Sequence, residues 1–289
     1  MRSTSTRHDR QRDLALALAA FAVALLFWQI EALSWLMVPF RLFVTMIHEL
    51  GHGLAAELTG GQFLRFEVTR GGAGLAYTRG GVPFVVIQAG YLGTALFGAG
   101  LLIAAYRVRQ PGRVAVALGV FLGVLSLAYA GLHPGHLTAL QMALVGAVGV
   151  SAVYLILTRE TDQGRLAGAG VAALAGLLFA YFASDGQMLA LLVGLGSALA
   201  LVALGVRARS DVVMVALTFL ALLTGLQAVS DAWVLLRIVS MPGSLLPLND
   251  ASAMAEHVGG PAAIWALWWV LADVAIVGAA VTYTFGRKT

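Results

Sequence analysis

Two histidines four residues apart, with a glutamate directly after the first, stand in the run FRLFVTMIHELGHGLAAELTGG at residues 40–61. His48-Glu49-Leu50-Gly51-His52 fits the pattern H-E-x-x-H. On a helix, residues four apart project from one face about one turn apart, so both imidazoles can reach a single metal ion. Glu49 is offset by one position, beside the metal rather than on it, where it can take a proton from water that the metal acidifies. Zinc is the natural ion, because it accepts imidazole and carboxylate ligands, keeps an open position in catalytic sites and brings the pKa of water towards neutrality. Two protein ligands are too few, so a third must come from elsewhere in the chain.

Downstream glutamates are few: Glu160 stands in a charged loop, and Glu256 lies outside any apolar helix. Three aspartates compete instead. Asp231 is preferred: in LTFLALLTGLQAVSDAWVLL it shares one helical face with Thr224 and Gln227, and a polar stripe on an apolar helix should face the interior of a bundle. Asp250, in PLNDASAMAEH, is the alternative ligand, though its place before an amphipathic stretch equally suits a helix N-cap. Asp273 also sits mid-helix, but on a face made mainly of Ala266, Trp269, Val277 and Ala280. Glu57 is on the opposite face from His48 and reads as structural, and Arg41, two turns before the first histidine, reads as a snorkelling cation.

The setting of these groups is what makes them informative. The chain has 289 residues, 60% hydrophobic and only 11% charged, and its mean hydropathy is +0.88. Apolar runs long enough to cross a bilayer recur from residue 14 to residue 285, so the composition predicts an all-α multi-pass membrane protein of about eight or nine transmembrane helices. Ionisable groups inside a membrane are disfavoured by about 2.5–3.5 kcal/mol each, and the motif places three within five residues. The pI near 9.8 arises from arginines flanking the apolar runs, which points to lipid headgroups and orientation, not to nucleic acid. The absence of cysteine excludes disulfides, thiolate ligands and cysteine nucleophiles.

Three stretches of chain must position the motif. Residues 1–13 read as a polar tail, 14–110 as a membrane core holding the motif helix and a β-hairpin, and 111–289 as the remaining helices, including the third ligand. Pro39 allows a break before the motif helix, and Gly60-Gly61 ends it. In FLRFEVTRGGAGLAYTRGG, Leu64, Phe66 and Val68 alternate with Arg65, Glu67 and Thr69 before a glycine-rich turn, which predicts the hairpin. Apolar helices follow at about 83–106, 113–132, 136–158, 166–183, 187–206, 212–239 and 261–285. The connections at 107–113, 159–165 and 207–211, and the Arg287-Lys288 end, carry positive charge and belong on one side of the membrane.

The motif run, the hairpin and QAGYLGTALFG at 88–98 together resemble the site-2 protease family of intramembrane zinc metalloproteases, in particular its compact bacterial members. The resemblance implies a bacterial cell-membrane location, zinc held by two histidines and a distant aspartate, and a glutamate as general base. By position these become His48, His52 and Glu49. The family's N-P-D-G or L-D-G signature around the aspartate is absent, and AVSDAW around Asp231 and LNDAS around Asp250 come nearest. The resemblance also implies a role for the hairpin, as an edge strand near the site that pairs with an extended substrate; a structural plug closing the bundle is the alternative.

The expected function is therefore zinc-dependent hydrolysis of a peptide bond in or near the membrane segment of a membrane-protein or peptide substrate. A different class, a non-proteolytic metal-binding transporter or scaffold, would need the ligands but not Glu49. A membrane metalloprotease with a glutamate as third ligand is the other alternative. His133-Pro-Gly-His136 could bind a second metal, but a surface turn accounts for it without a carboxylate partner.

Overall fold

The computed structural model describes residues 35–131, 186–241 and 249–285, with scattered positions between 12 and 30. The expected spans at 136–158 and 166–183, most of the first apolar run, the 159–165 connection with Glu160, the His133 and His136 pair, and the Arg287-Lys288 end lie outside the described residues.

Proline sets the start of the first three helices, as its fixed φ and missing N–H favour. They are α1 (Val38–Leu58), α2 (Pro83–Arg107) and α3 (Pro111–Ser126), the last continuing into a π turn at Leu127–Gly131. Between α1 and α2 lies an antiparallel hairpin of β1 (Gln62–Val68) and β2 (Gly74–Arg79). After the gap come α4 (Gly186–Arg207), α5 (Ser210–Val239), the short α6 (Asp250–Val258) and α7 (Ala262–Phe285). Among the described residues five helices are long and apolar enough to cross a membrane: α2, α3 with its π turn, α4, α5 and α7. The motif helix α1 is not one of them.

Close packing of these helices follows from small residues, because helices in lipid gain by backbone approach more than by apolar burial. In α2, Gly98 rests on Ala221 and Gly225 of α5, where a Cβ would lie 2.9 Å from the Ala221 carbonyl oxygen. At one end of the α3–α4 pair Gly112 meets the Gly205 carbonyl oxygen, and further along Gly119 meets that of Ala198. The start of α3 thus lies beside the end of α4. The end of α2 reaches α7 through Arg107, whose Nη2 donates to the Tyr283 carbonyl at 3.1 Å. The 107–111 and 207–210 connections therefore share one end of the bundle with the end of α7. At the other end the starts of α2 and α7 meet through Phe84 and Trp265, with ring centroids 6.0 Å apart.

The hairpin is clamped into that second end. Gly60 (φ 82°) ends α1 in a conformation that favours glycine, and the Phe63 N–H then donates to Glu57 Oε1 at 2.7 Å. A bulge between Phe63 and Arg65 breaks the expected alternation. Phe63, Phe66 and Val68 turn inward while Leu64 is only half-buried, a correction to the face read from the sequence. Phe63 fills the space left by Gly53 on α1 and stacks on Tyr129, with ring centroids 4.1 Å apart. Arg65 lies over the Tyr77 ring and pairs with Glu67.

Candidate metal centre

The helical repeat of α1 brings His48 and His52 together with their Nε2 atoms 3.1 Å apart. Asp250, at the start of α6, points its Oδ2 between them, 3.4 Å from His48 Nε2 and 3.6 Å from His52 Nε2. These three residues form a group able to hold a metal ion. The spacings fit zinc: ligand atoms bound tetrahedrally at about 2.0–2.1 Å stand about 3.3 Å from one another. The tautomer fits as well. His52 Nδ1–H donates to the Val86 carbonyl at 2.7 Å, which leaves the Nε2 lone pair facing the ligand group. Burial pushes the Asp250 carboxyl up, but the neighbouring His52 and His48 outweigh it and hold the group below the usual carboxylate range, so it is anionic at neutral pH.

Neighbouring backbone leaves just enough room. Gly51 of α1 abuts the Ala89 carbonyl of α2, and the next glycine, Gly90, faces the imidazoles, where a Cβ would strike Nε2 of both. Glu49 is buried, with its carboxylate in the space that a Cβ on Gly74 of β2 would fill and the Ala76 backbone close by. The hairpin turn is fixed to α1 by Thr45 Oγ1, which donates to the Gly72 carbonyl at 2.8 Å. Gly72 (φ 87°) lies on the Arg41 side chain, whose Nη2 donates to the Arg70 carbonyl at 3.5 Å at the exposed edge of the turn. A cavity of about 450 Å³ opens beside these groups, lined by His48, Glu49, His52, Asp250, Tyr91 and β2.

The aspartates fall in a different order from the one the sequence favours. The N-cap of α6 is Asn249, whose side chain accepts from the Ser252 N–H at 2.9 Å, and this frees Asp250 for the histidines. Asp231 borders the same cavity, but its Oδ1 accepts from Gln227 Nε2 at 2.6 Å within α5, and it is not one of the three grouped residues. Of the expected polar stripe only Asp231 reaches the cavity, since Thr224 Oγ1 donates to its own helix at the Leu220 carbonyl. Asp273 is fully buried in α7, with neither carboxylate oxygen hydrogen-bonded among the described residues. Glu256 is exposed on α6. Sequence reasoning missed Tyr91, Gly74 and the Val86 carbonyl. Only Tyr91 left a trace, as an aromatic residue within a run of small ones.

A sequence model of the family described as Peptidase M50B-like matches residues 16–163, slightly more than half of the chain, and the chain belongs to that family. The resemblance to site-2 proteases is thereby shown, and membership implies a membrane metallopeptidase. No curated protein and no solved structure matches the chain.

Proposed function

We propose that this M50B-like chain is an intramembrane zinc endopeptidase that cuts a peptide bond in or near the membrane segment of a membrane-protein substrate. His48, His52 and Asp250 hold the zinc, and Glu49 is the general base. The observation that carries this reading is the convergence of two imidazole nitrogens and one carboxylate oxygen at ligand spacing, with a buried glutamate next to them. Bound zinc supplies polarisation of the scissile carbonyl and acidification of water.

The rest is the work of the chain. Glu49, packed against Gly74, accepts a proton from the attacking water and passes it to the amine nitrogen as the C–N bond breaks. His52 is kept in the right tautomer by the Val86 carbonyl. β2 pairs with β1 and also lines the cavity, which suits an extended peptide laid beside it as a further strand. A peptide bond must leave its helix before water can reach it, and a strand partner next to the base would hold it in that form.

Glu49→Gln keeps the shape of the side chain but removes its basicity. The variant is expected to retain wild-type zinc content while cleavage of a co-expressed tagged membrane substrate falls by about a thousandfold or more. Retained cleavage would remove Glu49 from its role. A binding or transport site would leave both proteins equally loaded and equally inert.

A further inference from the structure

Tyr91 is the one aromatic residue among those lining the metal cavity, and both sides of its ring are held. One face stacks on Trp269 of α7, with centroids 4.8 Å apart and planes 9° from parallel. Against His48 the ring stands at 89°, with centroids 4.7 Å apart. The preceding residue is Gly90, where a Cβ would strike Nε2 of both imidazoles, so the backbone that carries Tyr91 runs close beside the histidine pair. The ring is thus packed between α7 and His48 of α1.

Its hydroxyl, by contrast, is uncommitted. It has no hydrogen bond among the described residues. It lies within reach of the charges of Asp250, Asp231, Glu49 and Asp273, all of which can only accept when ionised. Of the other hydroxyls lining the cavity, that of Thr45 already donates to backbone carbonyls, and that of Thr78 sits near the far end of β2, four residues beyond the Gly74 that packs on Glu49. A cavity rich in carboxylates offers little to an oxygen that gains negative charge, and a preorganised neutral donor is the group that such an oxygen requires.

We propose that Tyr91 is a catalytic residue whose phenol O–H donates a hydrogen bond to the carbonyl oxygen of the scissile peptide as that oxygen becomes negatively charged. This rests on the peptidase reading above. The balance is simple: the water oxygen bonds to the carbonyl carbon, Glu49 carries the water proton to the departing amine, the C–N bond breaks, and Tyr91 keeps its proton throughout.

Tyr91→Phe in the full, zinc-loaded chain keeps the stacking on Trp269 and removes only the hydroxyl. With fluorescent casein in detergent as probe, kcat is expected to fall about 100-fold or more with KM within about twofold and zinc content unchanged. A phosphinic peptide, which presents tetrahedral oxygens at the metal, should bind the variant at least about tenfold more weakly, a readout independent of turnover. Full kcat together with full phosphinate affinity in Tyr91→Phe would overturn the proposal. So would a loss of zinc matching the loss of rate, which marks a merely structural role. A zinc-loaded wild type that neither cleaves casein nor binds the phosphinate would instead sink the peptidase reading, and the two failures are distinct.

Discussion

Gly90 shows how much of the site rests on a missing atom. Any side chain there would strike Nε2 of His48 and His52, whereas a Cβ on Gly93, one turn on, would meet the Gly51 Cα at an ordinary 3.6 Å. Gly90→Ala is therefore expected to weaken zinc affinity by about tenfold or more, and Gly93→Ala to leave it nearly unchanged, both read by competition with a metal-binding dye. At this scale the sequence was legible where partners are local. His48, Glu49 and His52 follow from a four-residue spacing on one helix. The carboxylate was not, because Asn249 and Asp250 are adjacent and either can cap a helix. Which one caps decides which one is free, and that choice depends on how α6 docks. Asp231 looked better because its helical face is polar, yet that face satisfies itself through the bond from Gln227.

Among the elements, the hairpin has the most to do with chemistry. It holds Glu49 from above through Gly74 and is itself held from below by Thr45, Arg41 and Glu57. Gly74→Ala pushes a methyl into the Glu49 carboxylate, so kcat on casein should fall about tenfold to a hundredfold while zinc content stays at the wild-type level. Loss of zinc in that variant would mean that the hairpin shapes the ligands and not the base. Alternation of apolar and charged residues was enough to locate the strands, but not to phase them. One extra residue at the bulge exchanges Leu64 for Phe63 on the buried face, and the reason lies in α1, where Gly53 leaves a hollow that an aromatic ring fills.

In the molecule as a whole, small residues and positive charge set the arrangement. The Gly112–Gly205 and Gly98–Gly225 approaches bring α2 to α5 into one bundle, with the arginine-bearing 107–111 and 207–210 connections at the end away from the hairpin. Because the chain has no cysteine, single reporters are clean. Leu75→Cys on the hairpin and Arg109→Cys in the α2–α3 connection should react with a membrane-impermeant maleimide from opposite sides of a sealed vesicle. Labelling from the same side would contradict the arrangement. Apolar run lengths made the helices legible, but helix docking was beyond them, since it depends on which glycine finds which neighbour.

That docking is what brings together two parts of the chain 202 residues apart, His48 on α1 and Asp250 on α6, in the group proposed to hold zinc. The zinc content of purified Asp250→Ala and Asp231→Ala, measured side by side with wild type by atomic emission, tests this most directly. About one zinc per chain is expected in wild type and Asp231→Ala, with a loss of most of it in Asp250→Ala. Full zinc in Asp250→Ala, with the loss falling on Asp231→Ala, would contradict the account.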